Sequence, residues 1–120
     1  MDIAKFKKLI EKRENTFDED ANGLDEIWNE LTEFLSKDIN DTINYLKTDC
    51  TLEEFEWISE VFDVIADKTQ SKDFIKCLYE VEKKFHGQYE CNILGSIGFA
   101  ESCIYDDEET NSEENKNGCN

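Results

Sequence analysis

Apolar residues recur at spacings of three and four along most of the chain, which is the period of a helix with one buried face. Proline is absent from all 120 residues and glycine occurs five times, so interruptions of this pattern are few. The predicted helical segments span about residues 2–14, 24–36, 39–48, 51–69, 71–87 and 90–105. The pattern therefore predicts an all-α protein, folded as a compact bundle of five or six antiparallel helices.

Polar residues at the segment boundaries predict where the helices begin. Asn22 and Asp38 are candidate caps for the second and third helices, and Thr51 and Glu54 have the spacing of a capping box. In the last segment, Gly95 and Gly98 each weaken the helix by about 1 kcal/mol relative to alanine. We expect these two glycines to be useful only where another helix packs close against them.

The domain boundary is predicted from the C-terminal composition. From Asp106 onward the sequence "DDEETNSEENKNGCN" has no apolar period and six acidic residues. We therefore expect a helical domain over residues 1–105 and a disordered acidic tail over 106–120. No run approaches 18 apolar residues, and the N-terminus lacks the apolar centre of a secretory signal, so we expect a soluble, intracellular protein.

The formal net charge of −17 is unevenly distributed along the chain. Residues 1–14 carry +2, residues 15–67 carry −14, residues 68–105 are neutral, and residues 106–120 carry −5. Binding to the phosphates of a nucleic acid is disfavoured by this charge. A basic macromolecular partner is favoured, because a surface of one sign speeds the encounter with its opposite.

The stretch "DEDANGLDEIWNE" resembles a calcium-binding loop. Asp18, Asp20 and Asn22 alternate and Gly23 follows, as an EF-hand requires. The bidentate glutamate of such a loop belongs at position 29, which is asparagine here, while Glu30 comes one residue late. A slip of one residue turns a side chain by about 100° on a helix. We therefore expect no metal site, and we interpret these residues as helix caps and first-turn charges.

A row of carboxylates runs along the fourth predicted helix, and we call it the acidic ridge. At about 100° per residue its members lie within about 80° of one another, opposite the core positions. They are Glu53, Glu56, Glu60, Asp63 and Asp67. No lysine or arginine occurs from Thr48 to Asp67, although ordinary solvated helices alternate acids with bases. The ridge is either a solvated face or the binding site of a cationic partner, and we favour the second interpretation.

Two further features extend the predicted binding surface. Trp57 lies at the edge of the acidic ridge, where it either anchors a partner or widens the buried face. Glu26, Glu30 and Glu33 repeat the carboxylate spacing on the second helix, and we call them the second patch. Trp28, in the middle of its apolar stripe, is predicted to be a core residue.

Catalytic and cofactor sites are not predicted. The single histidine, His86, has no evident nucleophile near it in sequence, and no phosphate-binding glycine loop or nucleophile elbow occurs. The five cysteines form no C-x-x-C pair, so we interpret them as small buried hydrophobic residues rather than zinc ligands. We predict a protein that is not an enzyme and needs no cofactor.

The block from Asp49 to Ile104 resembles a small helical immunity protein of bacterial contact-dependent growth inhibition systems. The phrase "EEFEWISEVFDVIADKTQS" carries most of the resemblance, and "CNILGSIGFAESCI" adds to it. The resemblance implies a cytoplasmic protein that binds and neutralises one cognate toxin domain. Such toxins are often nucleases, particularly ones that cleave tRNA, and their active sites are basic because they hold phosphates.

The predicted partner is therefore a basic toxin domain, bound one to one by a monomer through steric and electrostatic occlusion. The acidic ridge with Trp57 is the predicted toxin-binding site, with the second patch beside it. The alternative is an acidic helical adaptor or regulatory subunit that docks a basic protein without inhibiting it. We expect neither nucleic acid nor a membrane as a partner.

Overall fold

The structure, a computed structural model, describes residues 1–105. Within these residues, six helices begin with a side-chain cap. Each capping oxygen accepts a hydrogen bond from the backbone N–H three residues on, and the caps are Asp2, Asp20, Asp38, Thr51, Ser71 and Asn92. The helices are α1 Ile3–Glu14, α2 Ala21–Ser36, α3 Ile39–Thr48, α4 Leu52–Ile58, α5 Phe62–Thr69, α6 Lys72–Phe85 and α7 Ile93–Ser102. The all-α bundle is confirmed for these residues, and the predicted tail, 106–120, lies outside them.

Two predicted details of the helices are wrong. Asp20 rather than Asn22 caps α2, which begins three residues earlier than expected. The segment 51–69 is not one helix, because a 3-10 turn, Ser59–Val61, separates α4 from α5. The Ser59 hydroxyl donates to the Glu56 carbonyl oxygen at 2.6 Å, so this side chain competes with the backbone ladder where α4 ends.

The core is built around four phenylalanine rings contributed by α1, α4, α5 and α6. Phe6, Phe55, Phe62 and Phe74 are completely buried. The Phe55 and Phe62 ring centroids lie 5.3 Å apart and tilted, a favourable arrangement of two aromatic quadrupoles. These helices are therefore held by one continuous apolar cluster rather than by separate pairs.

Helices α5 and α7 pack side by side and run in the same direction. At their C-terminal ends, Gln70 donates from Nε2 to the Cys103 carbonyl oxygen at 2.9 Å and accepts from the Tyr105 N–H at 2.8 Å. At their N-terminal ends, the negative charge of Glu60 contributes to raising the pKa of Cys91, after burial and Glu56. Gln70 has a left-handed φ of 52°, which these two hydrogen bonds stabilise.

Candidate protein-binding surface

The 3-10 turn divides the acidic ridge into three parts. Glu53 and Glu56 lie on α4, Glu60 lies in the turn, and Asp63 and Asp67 lie on α5. Because a 3-10 turn advances more per residue than an α-helix, the carboxylates do not form the single uninterrupted row that the sequence predicts. Each part has different neighbours, and these neighbours decide which carboxylates a partner can reach.

Glu60 is bound within the chain. Its carboxylate accepts two hydrogen bonds from the Arg13 guanidinium, at 2.7 Å from Nε and 2.9 Å from Nη2. The Trp28 indole N–H donates to the same carboxylate at 2.9 Å. Trp28 is therefore partly buried, with its indole N–H hydrogen-bonded to Glu60, rather than the fully buried core residue that the sequence predicts. Arg13 is 5% exposed, so this fork-shaped ion pair holds α1 against the turn after α4.

Trp57 also serves the interior more than the surface. Its ring is partly buried against the core, and the Arg13 guanidinium lies 4.7 Å from the ring centroid. A guanidinium stacked at this distance gains a cation–π attraction. Of the two interpretations of Trp57, this packing favours the one in which the ring widens the buried face.

The α4 end of the ridge carries unneutralised negative charge. Glu53 lies beside Glu14, the last residue of α1, and a hydrogen bond and repulsion between these carboxyl groups raise the pKa of Glu53. Glu56 contributes to the same repulsion. Glu14 also stands at a helix C-terminus, where the macrodipole disfavours negative charge. This end of the ridge would be stabilised by a cation from outside the chain.

The α5 end of the ridge is open on the side that faces α7. Asp67 accepts a hydrogen bond from the Tyr105 hydroxyl at 3.1 Å, and this bond raises the pKa of that phenol. Asp63 has neither a hydrogen-bond nor an ion-pair partner within residues 1–105. Both carboxylates therefore keep acceptor capacity for a donor that approaches along the seam between α5 and α7.

Two of the three carboxylates of the second patch are neutralised by lysines from neighbouring helices. Lys12 of α1 binds Glu30 at 2.8 Å, and Lys68 of α5 binds Glu33 at 2.7 Å. Glu26 adds to the negative field that raises the pKa of Lys12, after its hydrogen bond with Glu30. Exposed pairs of this kind contribute little to stability, but they leave little net charge for a partner. Toxin binding by this patch stays a prediction.

The calcium-like stretch is used for folding contacts. The Asp18 carboxylate lies 3.3 Å from Arg13 Nη2, and Asp20 is the α2 cap. Among residues 1–105, no group of three or more His, Cys, Asp or Glu side chains could hold a metal ion. Asp18 and Asp20 of this stretch thus have structural partners within the fold.

A buried carboxylate that the sequence reasoning missed lies under α1. Glu54 is 5% exposed and accepts from the Tyr45 hydroxyl at 2.8 Å, from the Thr51 N–H at 3.2 Å and from the Lys7 ammonium. Burial raises the pKa of Glu54, but these hydrogen bonds outweigh burial and lower it overall. The capping box predicted from Thr51 and Glu54 is confirmed, although its tertiary partners could not be read from local spacing.

Exposed apolar side chains on α7 were missed as well. Leu94 is 43% exposed and Phe99 is 62% exposed, on the side of α7 that faces away from the core. The signal in the sequence is the composition of the helix, since Glu101 is its one charged residue and its apolar residues surround the axis. One cysteine prediction is also wrong, because Cys91 is exposed, whereas Cys50 and Cys77 are buried.

Comparisons with known proteins do not assign this surface. No protein-family model matches the chain, no curated protein matches it, and no solved structure matches it. Among the described residues, no helix combines the length and the apolar character needed to cross a membrane. The surface must therefore be interpreted from its own chemistry.

Proposed function

We propose that this chain is a cytoplasmic immunity protein that binds a basic toxin domain, such as a nuclease, and blocks it sterically and electrostatically. The observation that carries the proposal is a set of four solvent-accessible carboxylates of the acidic ridge that form no ion pair with a cation of residues 1–105. They are Glu53, Glu56, Asp63 and Asp67. Their arrangement is complementary to a surface that holds phosphates, and the resemblance of residues 49–104 to immunity proteins agrees with it.

The roles of the ridge residues differ in this proposal. Glu53, Glu56, Asp63 and Asp67 face the toxin, whereas Glu60 and Trp57 hold α1 in place and act on the toxin indirectly. The negative field of residues 15–67 speeds association, which should slow steeply as salt is added. The inhibitor performs no chemistry, since occupation of the basic surface is enough to exclude a substrate.

The proposal is tested by co-expression with the basic domain encoded in the neighbouring reading frame, with growth as the readout. The variant Glu56→Lys/Asp63→Lys/Asp67→Lys should lose protection and bind the domain at least tenfold more weakly at low salt. Glu60 is left unchanged because reversing its charge would break the ion pair with Arg13. Survival of full protection in the triple variant would overturn the proposed surface.

A matched control reverses the same number of charges outside the acidic ridge. Asp49, Asp73 and Glu80 lie in or beside α3 and α6, and all three are exposed. The variant Asp49→Lys/Asp73→Lys/Glu80→Lys has the same net charge as the test variant and should protect fully. Binding without growth protection in the wild type would instead indicate an adaptor that docks a basic partner.

A further inference from the structure

The outward side of α7 forms an apolar strip on which no other helix of residues 1–105 packs. At about 100° per residue, its members lie within about 140° of one another, opposite the buried Ile93, Ile97 and Ala100. We call this strip the α7 face, and it consists of Leu94, Gly95, Gly98, Phe99 and Ser102. All five residues are exposed. The Ser102 hydroxyl donates to the Phe99 carbonyl oxygen at 2.6 Å, so the one polar side chain of the strip is already satisfied.

The two glycines of the α7 face have different explanations. A Cβ at Gly95 would lie 2.3 Å from the Asn92 side-chain amide, which caps α7 and lies over this position. A Cβ at Gly98 would meet no atom within 4 Å in the described chain. A glycine inside a helix costs about 1 kcal/mol relative to alanine. No packing within residues 1–105 requires Gly98, so this position leaves room for the backbone of another helix to come close.

Acidic side chains border this strip along the seam with α5. Phe99 lies on the same side of α7 as Cys103, whose carbonyl oxygen accepts from Gln70 at the end of α5. Asp67 lies on the matching side of α5, because it binds the Tyr105 hydroxyl, and Asp63 is one turn before it. The strip therefore has small residues in its middle and the large apolar side chains of Leu94 and Phe99 at its two margins, and Asp63 and Asp67 lie beyond the Phe99 margin.

We infer that the α7 face docks an amphipathic helix of a basic protein partner. The small surface at Gly98 would let the two helix backbones approach, Leu94 and Phe99 would anchor the apolar side of the incoming helix, and its lysines or arginines would reach Asp63 and Asp67. This inference rests on the proposed function for the charge of the partner. It supplies the apolar anchor that Trp57, stacked under Arg13, does not provide.

Charge complementarity distinguishes this occupant from others. A second copy of the chain would place Asp63 and Asp67 against like charges, in a protein whose net charge is −17. An anionic membrane surface would be repelled by the same edge. The chain's own residues 106–120 carry six acids and one lysine, so they too have the wrong sign. A basic helix is the occupant that satisfies both the apolar strip and its acidic edge.

The test uses the full-length chain and a synthetic helical peptide of leucine and lysine, about 14 residues long, at which helices become marginally stable. Calorimetric titration at low salt should show binding of this peptide. A leucine–glutamate peptide of the same pattern should not bind, and a leucine–lysine peptide with strictly alternating residues should bind at least tenfold more weakly. Equal binding of all three, or absence of binding, would overturn the inference.

Three variants locate the site of peptide binding. Phe99→Ala should weaken binding about tenfold, whereas Phe17→Ala, which alters a 77% exposed ring in the loop between α1 and α2, should change it less than twofold. Gly98→Ala should weaken peptide binding although it fits the free chain. Unchanged binding in Phe99→Ala and Gly98→Ala would mean that the peptide follows charge alone, and would overturn the α7 face as the site.

Two further measurements exclude the other occupants. Light scattering should give a monomer for both wild type and Phe99→Ala, and vesicles containing anionic lipid should not retain the chain. A dimer that Phe99→Ala dissociates, or retention on the vesicles, would overturn the inference in favour of a second copy or a membrane. Failure of growth protection would count against the immunity role, while these peptide results would still test the α7 face.

Discussion

The side of the molecule built from α1, α2 and the 3-10 turn differs from the side built from α5 and α7 in how its charges are satisfied. On the first side, the basic residues of α1 bind carboxylates of other helices, with Arg13 on Glu60 and Lys12 on Glu30. On the second side, Asp63 and Asp67 have no cation from the described chain, and they border exposed apolar residues. The first arrangement holds the fold together, whereas the second leaves a surface for another molecule.

This difference separates two uses of an acidic composition. Six helix caps, the buried Glu54 and the Arg13–Glu60 pair are carboxylates or polar groups that the fold itself requires. The unpaired carboxylates of the acidic ridge raise the negative field without forming an ion pair in the free chain. Removing a charge that is paired within the chain should therefore lower stability, whereas removing an unpaired carboxylate of the acidic ridge should weaken binding.

The largest effect should come from Arg13→Ala on the first side. The substitution leaves Glu60 without its fork-shaped partner and removes the cation stacked on Trp57, so we expect the free energy of unfolding to fall by about 3 kcal/mol. Urea denaturation of wild type and variant measures this difference in the free energy of unfolding. Lys8→Ala, an exposed change on the same helix, should stay within about 0.5 kcal/mol. A loss below about 1 kcal/mol for Arg13→Ala would erase the contrast between the two sides.

Glu54→Gln should have the next largest effect, with a characteristic pH dependence. We expect a loss of about 1–2 kcal/mol near neutral pH, because charge-assisted hydrogen bonds become neutral ones. The pKa of Glu54 is lower in the folded chain than its ordinary value of 4.5, so the charged form stabilises the fold above that pH. This stabilisation is lost as the pH falls through the folded-state pKa.

The measurement is a series of urea unfolding curves at several pH values. The difference between wild type and Glu54→Gln should shrink as the medium is acidified below about pH 4.5. Asp63→Asn, which removes one partly exposed carboxylate without an ion pair from the second side, is the control for the loss of a single charge. A difference that persists unchanged in acid would mean that Glu54 acts through shape rather than charge.

The helices could be predicted from local sequence because their causes are local. Apolar spacing and caps such as Thr51 and Asp38 act within a few residues, so the six helical segments were placed correctly to within a few positions. The break after Ile58 was missed because Ser59 looks like an ordinary polar position in a helix. The hydrogen bond from its hydroxyl to a backbone carbonyl oxygen can be recognised only in the folded structure.

The candidate surface could be predicted less well because its limits are set by tertiary contacts. Arg13 and Glu60 are separated by 47 positions, and nothing in their local patterns indicates that they meet. The acidic ridge was therefore predicted as uniform although one member is used internally. The apolar residues on all sides of α7 indicate that the core of the protein cannot bury the whole surface of this helix. Which side stays exposed is set by the packing of α7 against its neighbours and cannot be read from the sequence.

On the second side, we expect Gly98→Ala to stabilise the fold, in contrast to the destabilising substitutions Arg13→Ala and Glu54→Gln. The added methyl group meets no atom within 4 Å, so the free energy of unfolding should rise by about 0.5–1 kcal/mol. Gly95→Ala is the matched control and should give a smaller gain or a loss, since its methyl group would meet the Asn92 cap. Equal gains in thermal unfolding would remove the distinction between the two glycines.

The smallest effect should come from Glu53→Gln, where the two sides meet. A hydrogen bond with Glu14 and repulsion from the same carboxylate raise the pKa of Glu53, so the charged form costs stability at neutral pH, and its removal should raise the melting temperature slightly. Because the folded-state pKa lies above the ordinary value, this gain should vanish as the pH falls below about 4.5. Glu14→Gln should give a similar gain, and the double variant should give less than the sum of the two, because either change alone relieves the same repulsion. Additive gains would mean that the two carboxylates do not interact, and that the α4 end of the acidic ridge has no unfavourable charge for a basic partner to relieve.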